Sequence, residues 1–147
     1  MPRGNTVRLD FHSTFDMVDF VQVVTDHVGR MVGLDDEALH WVCVAVRESV
    51  INAIKHGNAN DARKRVHVEF TPLNDDTPPG IAIRVRDEGL GFDPSTLPDC
   101  LAPENMLKSS GRGIFLIRSF MDEMVLQRAA EGGMEVVMVK RVQPQQV

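Results

Sequence analysis

Cysteine is scarce in this 147-residue chain: Cys43 and Cys100 are the only two, and they stand far apart. Two such residues supply neither a disulfide framework nor the clustered spacing of a zinc site, which suits a reducing compartment. Cys43 lies in an apolar run and reads as a small core residue. Long apolar stretches are also missing. No run approaches the ~18 residues of a membrane span, and the opening MPRGNTVRLDFHSTF has no apolar signal-peptide core. A cytoplasmic protein without membrane contact is expected. Basic charge is in short supply, with a formal net charge of -5, which argues against direct nucleic-acid binding. The hydrophobic share of 43% is ordinary. A chain of this length can bury a core without disulfide staples, so one domain is expected over residues 1–147, with its core at about 6–142 and a short polar tail.

Residues 6–12 (TVRLDFH) alternate and predict a strand. Residues 15–32 have helical apolar periodicity, with Ser13 or Thr14 as N-cap and Gly33 as stop. A second helix is expected over 35–56, opened by Asp35 or Asp36 and ended by Gly57. The alternating segments 64–71 and 81–86 flank the turn-rich LNDDTPPG and predict a hairpin. Residues 88–111 have no clear period and read as a long loop, with one helical turn near 103–107; a loop of this length in a compact domain is usually functional. A helix over 113–121 and strands over 123–128 and 134–142 complete the order β-α-α-β-β-loop-α-β-β. Strand pairs joined by short turns, with helices that must bury an apolar face, predict an α+β two-layer sandwich with a mostly antiparallel sheet.

Three stretches carry polar chemistry. In RESVINAIKHGN, residues 47–58, Glu48, Asn52 and His56 are spaced four apart on a helix that is apolar nearly all round before them. A step of four places side chains about 40° apart, so the three form one stripe. Taken alone, the stripe reads as the solvated face of an amphipathic helix. It also fits a cleft that takes a metal or ligand, since an unpaired carboxylate on a buried helix is costly. In RVRDEGLGFDP, Asp87 ends a strand and Gly89 and Gly91 follow, giving either a plain turn or a loop that a ligand approaches closely. In SSGRGIFLIRSFMDE, Ser109, Ser110, Gly111, Arg112 and Gly113 lead into a helix. That is either an ordinary glycine loop or an anion site made of backbone N–H groups beside a cation. The Walker A pattern is absent.

These three stretches, in this order, resemble the nucleotide pocket of the ATPase superfamily shared by gyrase, Hsp90, histidine kinases and MutL. ESVINAIKH looks like the N box, DEGLG like the first glycine box, and GRG like the second. Within the superfamily, the small size and SGRGIFLIRSFMDE look most like the anti-sigma-factor serine/threonine kinases. The resemblance implies the Bergerat ATP-binding fold, with ATP and Mg²⁺ as cofactors. It implies that Glu48 is the general base and that Asn52 coordinates Mg²⁺. Asp87 would bind the adenine amino group, and Gly89 and Gly91 would let the loop pass the base. Ser110, Gly111, Arg112 and Gly113 would hold the phosphates. The implied partners are a STAS-domain anti-anti-sigma protein, which would be phosphorylated, and a sigma factor. A homodimer is also implied, for which strand 6–12 is a candidate edge. No histidine lies in a convincing dimerisation helix, which disfavours the ATP domain of a histidine kinase. At one position the chain departs from the pattern. This branch usually carries Gly-Thr before the last strand, where the chain has Gly133-Met134. Met lacks the hydroxyl that helps hold adenine, which predicts a weaker or water-routed contact and keeps open a module that binds nucleotide without transferring phosphate.

Overall fold

The computed structural model describes residues 5–90 and 118–143. Five strands form one sheet: β1 (Val7–His12), β2 (Arg65–Leu73), β3 (Gly80–Arg86), β4 (Glu123–Arg128) and β5 (Met134–Arg141). Their order is β1-β2-β3-β5-β4, and every pairing is antiparallel. The expected hairpins therefore form, and β5, last in sequence, inserts between β3 and β4. Val66, Val68, Phe70, Ile81, Ile83, Val85 and Met138 are buried on one side of the sheet. The intervening residues of β2 and β3 face the other side, as a period of two requires.

Helices α1 (Val18–Val32) and α2 (Asp36–Asn52) cover the apolar face. The architecture is the expected two-layer α+β sandwich. Val42, Val46, Val50 and Ile54 form the buried row of α2 and its extension; full burial of a side chain of this size favours folding by about 1.5–3 kcal/mol. Asp35 caps α2 as expected, its carboxylate accepting the Ala38 N–H at 2.8 Å. Gly33 ends α1 at φ +97°, the left-handed conformation that glycine adopts without penalty. Cys43 is half-buried against the core, as its sequence context predicts, and burial pushes its thiol pKa up.

The ends of the two helices differ from expectation. Residues 15–17 form a 3-10 turn, and Met17 is the N-cap of α1. Thr14 bonds Asp16 without capping, and Ser13 is buried and donates to the Lys64 carbonyl at 2.8 Å. The α-helical part of the second helix stops at Asn52, and residues 53–57 form a π-helical turn in which the Asn58 N–H reaches back to the Ala53 carbonyl at 2.8 Å. Gly57 is thus part of a widened turn, a feature common at functional sites, rather than a left-handed stop. Of the helix expected over 113–121, residues 118–120 are helical. Phe120 stacks on Trp41 of α2 with ring centroids 3.9 Å apart. The loop expected at 88–111 lies almost wholly outside the described residues.

Candidate functional site

The site is built where β3 ends, β5 begins and the π turn closes. Asp87 follows directly on β3 and is 5% exposed. A buried carboxylate needs partners, and the backbone supplies them: Asp87 Oδ1 accepts the Gly89 N–H at 2.9 Å and the Met134 N–H at 3.0 Å. The Asp87 N–H in turn donates to the Met134 carbonyl at 3.0 Å. Among the described residues Oδ2 accepts no hydrogen bond. One carboxylate oxygen is therefore fixed by the main chain, and the other has no donor among the described residues.

Two glycines make this packing possible. A Cβ on Gly57 would lie 1.9 Å from Asp87 Oδ2 and 2.3 Å from its carboxyl carbon. Gly133 has φ +81°, and a Cβ there would lie 2.0 Å from the Asp87 carbonyl oxygen. The π turn and the start of β5 can close on Asp87 only because both positions lack a side chain. Gly89 is likewise held tight against the Gly57 carbonyl, so its small size already serves the packing of the protein itself. The Gly133-Met134 departure also acquires a structural meaning. The Met134 side chain offers no hydroxyl, but its main-chain N–H orients the Asp87 carboxylate.

Residues that sequence reasoning missed hold this corner in place. Asn58, fully buried, donates to Ser13 Oγ at 2.7 Å and to the Arg65 carbonyl at 2.9 Å, and its Oδ1 accepts the Glu88 N–H at 2.7 Å. It thus ties the π turn to the start of β2 and to the residue after Asp87. Glu88 accepts the Arg65 N–H at 2.8 Å and pairs with His67 at 2.7 Å. The Arg65 N–H and then His67 hold the Glu88 carboxyl below its usual range. An asparagine just after a Lys-His-Gly helix end was the available signal for Asn58; nothing local marks the His67 pairing.

Glu48 and Asn52 lie one turn apart on α2, on the stretch that leads into the π turn and Gly57. Both are half-buried, and neither side chain makes a hydrogen bond or ion pair among the described residues. His56 is exposed. Helix α2 thus carries a carboxylate and an amide without described partners on the turns before the one that packs on Asp87. Gly91, Ser110, Gly111, Arg112 and Gly113 lie outside the described residues. No group of three or more His, Cys, Asp or Glu side chains suited to a metal ion occurs among the described residues. Glu48 and Asn52 offer a carboxylate and an amide oxygen, both oxygen donors as Mg²⁺ requires, and this ion usually takes one or two carboxylates together with phosphate oxygens and waters. Among the described residues no helix is long and apolar enough to cross a membrane.

A strand-end carboxylate whose second oxygen has no donor among the described residues stands beside the turn that follows an Asn-bearing helix. The sequence profile of the histidine kinase-like ATPase domain matches residues 13–140. The chain belongs to this family. Among its relatives, the serine-protein kinase RsbW of Staphylococcus aureus (strain JH9) is 30% identical over 139 residues, covering 90% of this chain and 84% of the relative. The serine-protein kinase RsbW of Listeria monocytogenes (strain EGD-e) is 29% identical over 126 residues, covering 82% and 76%. In fold, the chain is similar to the crystal structure of the RsbU and RsbW domains of Rv1364c from Mycobacterium tuberculosis, with a TM-score of 0.67 at 17% identity. That match covers 97% of this chain and 34% of the longer one. The two-layer sandwich is consistent with the Bergerat ATP-binding fold, and the chain is similar in sequence to RsbW serine-protein kinases.

Proposed function

We propose that the chain is an ATP-binding serine/threonine protein kinase that acts as an anti-sigma factor. It phosphorylates a STAS-domain anti-anti-sigma partner and binds a sigma factor. The observation that carries this reading is the Asp87 carboxylate, tethered at Oδ1 by two main-chain donors, with no hydrogen bond to Oδ2 among the described residues. An acceptor fixed in this way suits the exocyclic amino group of adenine and rejects the carbonyl that guanine has there. The similarity to two RsbW serine-protein kinases supports the choice of reaction.

In this reading Asn52 would hold Mg²⁺ through its side-chain oxygen, and the ion would offset charge on the phosphates of ATP, the phosphoryl donor that leaves as ADP. Glu48, one turn from Asn52 and without an ion pair among the described residues, accepts the proton of the partner's hydroxyl. Gly89 and Gly91 shape the base side, and Ser110, Gly111, Arg112 and Gly113 contact the phosphates. Phosphoryl transfer depends mostly on such positioning. The chain works in the cytoplasm as a homodimer, with the β1 edge as the candidate contact.

The test is phosphotransfer from labelled ATP to a STAS-domain protein encoded near the chain, with calorimetry of Mg²⁺-ATP binding alongside. Stoichiometric labelling that Glu48→Ala abolishes while ATP binding persists is the expected outcome. Labelling that survives Glu48→Ala removes Glu48 as the base. ATP binding without labelling would replace the kinase by a nucleotide-dependent binding switch. Asn52→Ala should remove the Mg²⁺ dependence of binding.

A further inference from the structure

The face of the sheet away from the helices carries a three-residue chain that the proposed reaction does not use. His67, in the middle of β2, has a carboxylate at each ring nitrogen. Nδ1 lies 2.5 Å from Asp10 Oδ1 on the edge strand β1, and Nε2 lies 2.7 Å from Glu88 Oε2 in the loop after β3. The register sets this up, because Asp10 and Arg86 are the cross-strand partners of His67 on either side. The His67 side chain is 19% exposed, against 51% for Asp10 and 35% for Glu88.

An ionised carboxylate only accepts hydrogen bonds, and a neutral imidazole has only one N–H. Two carboxylates can be satisfied together only when both ring nitrogens carry protons. With one proton removed, a nitrogen lone pair faces carboxylate lone pairs, and one of the two contacts must open. The other charges facing His67 are Arg8 and His12 on β1, Arg65 and Glu69 on its own strand, and Arg84 and Arg86 on β3. Glu69 is engaged by Arg8 at 3.1 Å and by Arg84 at 3.6 Å, and Arg86 donates to the Gly132 carbonyl. Asp10 and Glu88 remain the groups in hydrogen-bond contact with His67.

Glu88 connects this chain to the site. It adjoins Asp87, its N–H is held by Asn58, and its second carboxylate oxygen takes the Arg65 N–H. We propose that Asp10, His67 and Glu88 form a proton-dependent positioning device for the nucleotide loop, in which doubly protonated His67 links the edge strand β1 to the segment carrying Asp87 and Gly89. His67 and Glu88 are then positioning residues, acting through Asp87. The inference rests on the nucleotide-binding reading above and extends it to control by pH and by whatever engages β1.

The experiment compares Mg²⁺-ATP affinity of the wild type and Asp10→Asn across the range where imidazoles titrate, about pH 5 to 8. In the variant, an amide N–H meets the Nδ1 lone pair, so a neutral His67 can still donate to Glu88. ATP's own titration is common to both proteins. Loss of one charged hydrogen bond predicts that wild-type affinity falls about tenfold as pH rises, relative to the variant. Glu88→Gln serves as a second variant that also accommodates neutral His67. Equal pH profiles for all three proteins would overturn the proposal.

Amide exchange of Gly89 and Met134, the two donors to Asp87, gives a readout without nucleotide. Their protection should fall with pH in wild type beyond the base catalysis common to all amides, and the fall should vanish in Asp10→Asn. A protein that bound no ATP yet showed this exchange pattern would sink the functional reading and support the coupling. ATP binding with identical exchange profiles would do the reverse.

Discussion

Gly57→Ala separates two explanations of one glycine. If Gly57 ended a helix in the left-handed conformation, alanine there would cost about 1–2 kcal/mol and leave ligand binding alone. The structure gives another reason. The new methyl would sit 1.9 Å from Asp87 Oδ2, 2.3 Å from Cγ and 2.7 Å from Cβ. Rotation cannot relieve this, because Asp87 Cβ itself is too close and Oδ1 is tethered by Gly89 and Met134. The loop must shift, at an overpacking cost of about 1–3 kcal/mol. A shift that breaks one hydrogen bond to the carboxylate costs about 1.5–3 kcal/mol more. We expect a stability loss of about 3 kcal/mol by urea denaturation, and ATP affinity weakened by about 100-fold, equivalent to about 2.7 kcal/mol, by calorimetry. Gly132→Ala is the control. Its φ of +108° makes alanine strained, but its Cβ would have nothing within 4 Å, so stability should fall while ATP binding stays. If Gly57→Ala bound ATP as tightly as wild type, the steric account of the site would be refuted.

Asp87→Asn keeps the shape and an oxygen for the two main-chain donors but turns the second acceptor into a donor; the urea midpoint should barely move while calorimetric ATP binding disappears. Asn58→Ala strands the Glu88 N–H and the Arg65 carbonyl in a buried corner, for an expected loss of about 3 kcal/mol in chemical denaturation. Acid stability offers a separate check on the open sheet face. Hydrogen bonding from Arg84 holds the Glu131 carboxyl at about 2 against an ordinary 4.5. A carboxyl lowered in the folded state stabilises above its ordinary pKa, and that contribution is lost as pH falls from about 4.5 toward about 2. Arg84→Met should therefore flatten the decline of the urea midpoint over that window; parallel curves for the two proteins would show that the Arg84–Glu131 pair has no such role.

The strands and both long helices were legible because burial imposes its period directly on β2, β3, α1 and α2. Asp35 and Gly33 were legible because caps act through their immediate neighbours. The failures share a cause: they depend on what the rest of the chain brings to a position. The π turn packs on Asp87, which RESVINAIKHGN does not contain. Ser13 reads as a cap by its neighbours, but Asn58 and Lys64 claim its hydroxyl. His67 is an ordinary strand residue until the register places Asp10 and Glu88 at its two nitrogens. Within the site, the Gly89 N–H bonds the Asp87 carboxylate, and Glu48 and Asn52 lie one turn apart on α2. The orienting role of the Met134 main chain was hidden, since a backbone donor leaves no trace in residue identity.

The place of β5 between β3 and β4 has a consequence for the order of events during synthesis. β3 and β4 both leave the ribosome before the strand that pairs with each of them. Until residues 134–141 emerge, the nascent chain presents two unsatisfied strand edges, and the Asp87 carboxylate lacks one of its two main-chain donors. Nucleotide that binds only the completed pocket would then favour chains that have finished this step, because a ligand selective for the folded state draws the equilibrium toward it.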